Sequence, residues 1–219
     1  MMAQRRGRKT GPKPKFSRQD VIDAAFRVGV DDFTLAEVAN ELSVAPSAVY
    51  RLFDSRDALV HSCMKQAAEE VAQPIEEGTS WKDALMLWAT RCWDLCEKYP
   101  GLALTILRHP SAIVYLEEYF NYFVPFLVKA GLKEDDAMLA LDFISDTVLT
   151  THVSVTAMKT ANAQGQSELD FLFAHTSENA VIRPDESWAQ RGFLDRKLSL
   201  IIEGLAIHSP ITETSSTTL

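Results

Sequence analysis

Seven Lys and Arg residues crowd into the first eighteen positions (Arg5, Arg6, Arg8, Lys9, Lys13, Lys15 and Arg18), and no acid accompanies them. Clustered cations neutralise polyanions, above all the phosphates of nucleic acid. The rest of the chain has the opposite sign. All 30 Asp and Glu lie beyond residue 18, and the formal charge of the whole is −8. A molecule polarised in this way attracts phosphate at one end and repels it along its body, which orients it on a charged partner.

Other reactive groups point nowhere so clear. Cys63, Cys92 and Cys96 make an odd number in a 219-residue chain, which is no disulfide framework. Cys92 and Cys96 stand four apart among Leu and Trp, and are expected to be reduced core residues. No His-Glu-x-x-His, Gly-x-Ser-x-Gly, P-loop or Cys-x-x-Cys pattern is present. Glu117-Glu118 lacks the Glu-x-x-His partner of a di-iron bundle. The chain is therefore not expected to be an enzyme, and no metal or cofactor is expected. Composition is that of a folded protein, 47% apolar and 24% charged. No apolar run approaches the ~20 residues of a membrane span, and none follows the basic start as in a secretory signal. A soluble, cytoplasmic protein without a membrane partner is expected.

The elements that must position these charges read as helices throughout, with apolar residues recurring near every 3.6 positions and not every second one. Residues 1–16, rich in Arg, Lys, Gly and Pro, read as a flexible basic arm. Ser17 with Asp20 has capping-box spacing, and a helix carrying Val21, Ile22, Ala25, Phe26 and Val28 runs to Gly29. Thr34 with Glu37 is a second capping box, and Phe33 with Val38 has hydrophobic-staple spacing. That helix should reach about Leu42. Pro46 suits the first position of a third helix, running to about Phe53. A fourth begins near Arg56 and must end before Pro74. Further on, Ser80 caps a helix with Trp81, Leu85, Trp88, Cys92, Leu95 and Tyr99 on one face. A short apolar segment, 102–107, follows Pro100-Gly101. His109-Pro110 opens a helix carrying Ile113, Leu116, Phe120, Phe123 and Leu127, with a kink expected at Pro125. A long helix spans about 134–161, a short one lies near 169–175, and the last covers about 187–208. The Ser/Thr-rich tail, 209–219, is expected to be disordered.

Two short helices joined by a tight turn beside a basic arm have the composition of a helix-turn-helix. In such a module the first helix crosses the second and turns its N-terminus to a phosphate, while the second lies in the DNA major groove. The stretch FTLAEVANELSVAPSAVYRLFDSRDALV, Phe33 to Val60, resembles the tetracycline-repressor (TetR) family, as does KPKFSRQDVIDAAF before it. Two departures stand out: Ser43 occupies a turn position that is commonly Gly, and Arg56 one that is usually Lys. The resemblance implies an all-α protein with an N-terminal three-helix DNA-binding domain (17–73) and a larger C-terminal ligand-binding and dimerisation domain (75–208). It implies that Pro46, Ser47 and Ala48 face base edges. Arg51, whose fork matches guanine O6 and N7, would read a base. Tyr50, Thr34 and Arg56 would reach phosphate, supplemented by Arg5, Arg6, Arg8, Lys9, Lys13 and Lys15.

For the larger half, the resemblance implies a small-molecule effector of unknown identity, a homodimer built from the long and last helices, and a palindromic double-stranded DNA operator. Trp81, Trp88, Phe120, Phe123, Phe143 and His152 are the candidate ligand contacts, with Trp93, Phe126, Met138 and Thr151 as further pocket candidates and Arg108-His109 as possible polar ones. The implied function is a transcription regulator, a repressor released by its effector. An activator, or a helical ligand-binding adaptor whose helix-turn-helix no longer reads DNA, remains open at this point.

Overall fold

The computed structural model describes residues 16–208. The basic arm up to Lys15 and the tail from 209 lie outside the described residues. Within them regular structure is helical, apart from one antiparallel bridge between Ala161 and Ser167.

Three helices form the N-terminal module: α1 (Arg18–Val28), α2 (Leu35–Glu41) and α3 (Pro46–Tyr50). Both capping boxes are present. The Ser17 hydroxyl accepts from the Asp20 amide at 3.2 Å, and the Asp20 carboxylate accepts from the Ser17 amide at 2.6 Å. Thr34 and Glu37 repeat the exchange at 3.2 and 2.7 Å. These backbone and hydroxyl bonds hold the Asp20 and Glu37 carboxyls below their ordinary range. Gly29, at φ 109°, closes α1.

α2 ends on a Schellman motif. The Val44 amide donates to Ala39 O and the Ser43 amide to Asn40 O, both at 2.9 Å. Ser43 thereby sits at φ 55°, the left-handed position that favours glycine. A Ser43→Gly variant is expected to gain about 1 kcal/mol of stability in urea unfolding, by relief of the Cβ–carbonyl clash. An unchanged midpoint would show that the turn carries no strain.

α3 is shorter than the spacing suggested. After Tyr50 the backbone tightens, and the Leu52 amide reaches back only to Val49 O at 2.9 Å. The tighter turn swings Phe53 into the core, where it is 1% exposed. α4 (Arg56–Val71), capped by Ser55, buries Leu59, Val60, Cys63, Met64 and Val71 as it leaves the module.

The larger region comprises α5 (Trp81–Lys98), α6 (Leu102–Arg108), α7 (Glu117–Lys129), α8 (Glu134–Lys159), α9 (Glu168–His175) and α10 (Leu194–His208). α8 is its axis, packing on α5, α6, α7, α9 and α10. Ala137, Leu141, Ile144, Val148, Thr151 and Val155, spaced alternately four and three apart, lie on its buried face.

Two helices begin later than expected. Pro110–Leu116 is a 3₁₀ turn, so α7 starts only at Glu117, and Ile113 is exposed instead of lining the core. Glu186–Ala189 is a second 3₁₀ turn, separated from α10 by Gly192 at φ 55°. One hydrophobic cluster runs from Val21 to Leu205, through both halves of the chain. The halves also touch where Phe26 stacks on Tyr99 at 3.8 Å and the Val30 amide donates to Pro100 O at 3.0 Å.

Candidate nucleic-acid interface

α3 has one face in the core and one in solvent. Val49 is fully buried and, with Phe53, anchors the helix. On the other side Pro46, Ser47, Tyr50 and Arg51 are exposed, Tyr50 by 53%, and Ala48 is half-buried. A five-residue helix with an exposed N-terminal half and a buried apolar pin can enter a groove without unpacking the module.

Charge around this face is sparse. Residues 16–73 carry five basic side chains, Arg18, Arg27, Arg51, Arg56 and Lys65, against ten Asp and Glu. Four of the five are engaged within the chain. Arg27 Nε pairs with Glu41 at 2.7 Å and Lys65 with Glu69 at 3.9 Å. Arg18 donates from Nη1 to Leu52 O, with its guanidinium 4.1 Å from the centre of the Phe53 ring. Arg56 donates from Nε to Phe33 O at 2.9 Å and from Nη2 to Asp31 O at 2.7 Å, and lies 5.0 Å from the Phe33 ring centre. Among the described residues of this module, Arg51 alone of the five is without such a partner.

The expected sites therefore separate. Pro46, Ser47, Tyr50 and Arg51 converge on one exposed surface. Arg56, expected to reach phosphate, is half-buried and turned onto the chain leading into α2, because two carbonyls and a ring lie within its reach. The Thr34 hydroxyl is occupied by Glu37, to which it donates at 2.8 Å. The arm residues Arg5, Arg6, Arg8, Lys9, Lys13 and Lys15 lie outside the described residues.

The ligand candidates separate as well. Trp88 is buried, with Tyr119 stacked on it at 5.4 Å, Phe120 edge-on at 5.7 Å and Phe123 tilted at 6.0 Å. Its indole N–H donates to the Ser145 hydroxyl at 3.0 Å. Tyr119, at the centre of this cluster, was not among the residues expected there, although it stands four before Phe123 and so shares its buried face. Burial pushes its phenol up to about 12. Trp81 is buried in the same continuous core.

His152 lies elsewhere on α8, edge-on to Trp93 at 5.0 Å. Its Nε2 is 3.1 Å from Glu97 Oε1, an ion-pair distance without hydrogen-bond geometry. Burial holds its pKa below the ordinary histidine value, against the pull of Glu97. Phe143 and Met138, candidate pocket residues by sequence, are 54% and 51% exposed on the outer side of α8. The three cysteines are free thiols. Burial pushes Cys63 and Cys96 up to about 12 and raises Cys92 too, which keeps all three protonated. Among the described residues no group of three or more His, Cys, Asp or Glu is placed to hold a metal ion, and no helix is long and apolar enough to cross a membrane.

Residues 22–63 match the sequence profile of "Bacterial regulatory proteins, tetR family". No curated protein matches the chain in sequence. Among solved structures, a possible TetR family transcriptional regulator from Streptomyces coelicolor A3(2) superposes with a TM-score of 0.69 at 17% identity, covering 88% of this chain and 100% of that one. A TetR variant from Acinetobacter baumannii AYE in complex with minocycline gives 0.63 at 21%, covering 93% and 100%. BioQ with its double-stranded DNA operator gives 0.58 at 18%, covering 89% and 100%. Residues 22–63 are thus similar to the tetR family of bacterial regulatory proteins, and the described residues share the fold of solved TetR family regulators.

Proposed function

We propose that this protein is a sequence-specific, homodimeric DNA-binding transcription regulator of the cytoplasm, a repressor released by a small apolar effector. The observation that carries the reading is α3: an exposed Pro46–Arg51 surface on a helix pinned by Val49 and Phe53, with Arg51 free of internal partners. Arg51 reads a guanine edge, Tyr50 meets phosphate, and Pro46, Ser47 and Ala48 approach the neighbouring base edges. The six basic residues at positions 5–15 supply most of the phosphate attraction. BioQ, similar in fold, is known with its DNA operator, and the A. baumannii TetR variant with minocycline. The Trp88–Tyr119–Phe120–Phe123 cluster supplies the apolar, aromatic environment that such an effector needs. An effector releases DNA by preferring a conformation in which the two α3 helices no longer match successive major grooves, about 34–36 Å apart.

Selection of preferred duplexes from a random pool, followed by gel shift with and without candidate apolar ligands, tests the reading. Arg51→Ala is expected to weaken binding to the selected duplex by about 1–3 kcal/mol and to relax preference at one base pair. Equal loss on every sequence would make Arg51 a backbone contact instead.

A single observation favours a second reading. The folded module is itself acidic, ten carboxylates against five cations, as suits an adaptor that has ceased to read DNA. A wild-type chain that enriches no sequence from the pool would establish that reading.

A further inference from the structure

Arg18 and Arg56 enter by sequence as two more cations beside a DNA-reading helix. Their geometry is that of structural ties. Arg56, the first residue of α4, donates to the carbonyls of Asp31 and Phe33 at 2.7 and 2.9 Å and lies against the Phe33 ring. Thr34, the cap of α2, is the next residue. Arg18, the first residue of α1, donates to Leu52 O and lies against the Phe53 ring, just past the end of α3. One guanidinium therefore grips the chain where it enters the helix-turn-helix, and the other grips it where it leaves. Each grip has the same two parts, a backbone carbonyl and a buried phenyl ring, Phe33 and Phe53 both being 1% exposed. Between them α2 and α3 are short, seven and five residues, and α3 has no side-chain cap. Helices so short hold their pose through tertiary contacts and not through their own hydrogen bonds.

We propose that Arg18 and Arg56 are positioning residues that clamp the two ends of the helix-turn-helix, so that sequence reading by α3 depends on their planar guanidinium geometry and not on their charge. This rests on the reading of α3 as the DNA-contacting helix. The distinction is chemical. A phosphate contact depends chiefly on a positive charge, which lysine also supplies, as a point charge. A tie that bonds a backbone carbonyl while the guanidinium lies over a phenyl ring suits arginine, because an ammonium is a compact point charge without a plane.

The test compares full-length wild type with Arg18→Lys, Arg56→Lys, Arg18→Gln and Arg56→Gln. Binding is titrated against salt on a duplex selected by the wild type and on one of random sequence, and amide exchange is followed in the free proteins. Both Lys variants are expected to lose about tenfold on the selected duplex and no more than about twofold on the random one, with the salt slope unchanged. Exchange of the Thr34, Leu52 and Phe53 amides, bonded in the wild type, is expected to quicken in each variant at the end it loosens.

Lys variants that bind like wild type, with Gln variants losing equally on both duplexes and about one unit of salt slope, would make these arginines phosphate contacts and overturn the proposal. Should the Gln variants fail to fold, the Lys variants decide alone. Should the wild type enrich no sequence at all, the DNA-reading role of α3 falls. The clamp is then judged by exchange, and unaltered protection at all three amides in the Lys variants refutes it.

Discussion

A chain lacking residues 1–15 is expected to lose affinity for every duplex by at least about two orders of magnitude at physiological salt, with the slope of log K against log salt falling by about five units. The reason is the charge balance of what remains. The described module carries ten carboxylates against five cations, and four of those cations already hold carboxylates or carbonyls of the chain itself. Arg51 alone is at liberty near α3. A surface of that kind repels phosphate at long range, so the compensating attraction must come from Arg5, Arg6, Arg8, Lys9, Lys13 and Lys15. Each phosphate neutralised contributes about 0.9 to the slope, which sets the expected drop for six cations. Preference for the selected over the random duplex should survive truncation, because base reading belongs to α3. Fluorescence anisotropy over a salt series measures both quantities. A truncated chain that kept the full-length slope would show that the attraction comes from the folded body.

The second large effect concerns the outer faces of α8 and α10. Inward, α10 buries Leu194, Leu198, Ile202 and Leu205. Outward it exposes Leu200 and Ile207, seven residues apart, with Phe193 exposed just before its first turn, and Leu200 is 71% exposed. On α8, packed beside it, Met138, Leu139 and Phe143 are exposed as well. Two helices with an apolar stripe on both sides need two partners, and only one is inside the protomer. A second copy across a two-fold axis covers such a stripe with itself. Phe143→Glu combined with Leu200→Glu should therefore convert dimer to monomer in sedimentation while helical content by circular dichroism stays unchanged, since both side chains stand in solvent. Operator affinity should fall about 10²–10⁴-fold, the loss expected when two linked half-site contacts become one. Dimers persisting in the variant, or a wild type that sediments as a monomer, would remove this face from the mechanism.

These expectations divide by how far apart in sequence their causes lie. Both capping boxes and the start of α3 at Pro46 were legible because each involves residues no more than five apart. Hydrogen bonds of that range follow from residue type and spacing alone. The buried face of α8 was legible because its apolar residues keep the helical period from Ala137 to Val155, about five turns. Where the chain tightens into a 3₁₀ turn, at 110–116 and 186–189, periodicity over-extended the helix, since an apolar residue at the right spacing does not record whether a core stands opposite it.

Residue types and local spacing thus determined the all-helical class, the helix-turn-helix and the polarised charge. Tertiary structure decided what each charge and ring is for. Arg56 meets Asp31 and Phe33 across 25 and 23 residues, and Arg18 meets Leu52 across 34. Trp88 finds Ser145 across 57, and Phe143 faces solvent while Phe123 faces the core. Contacts at such range depend on which helix faces lie against each other, and a guanidinium that could neutralise phosphate takes a carbonyl and a phenyl ring instead when packing brings them within reach.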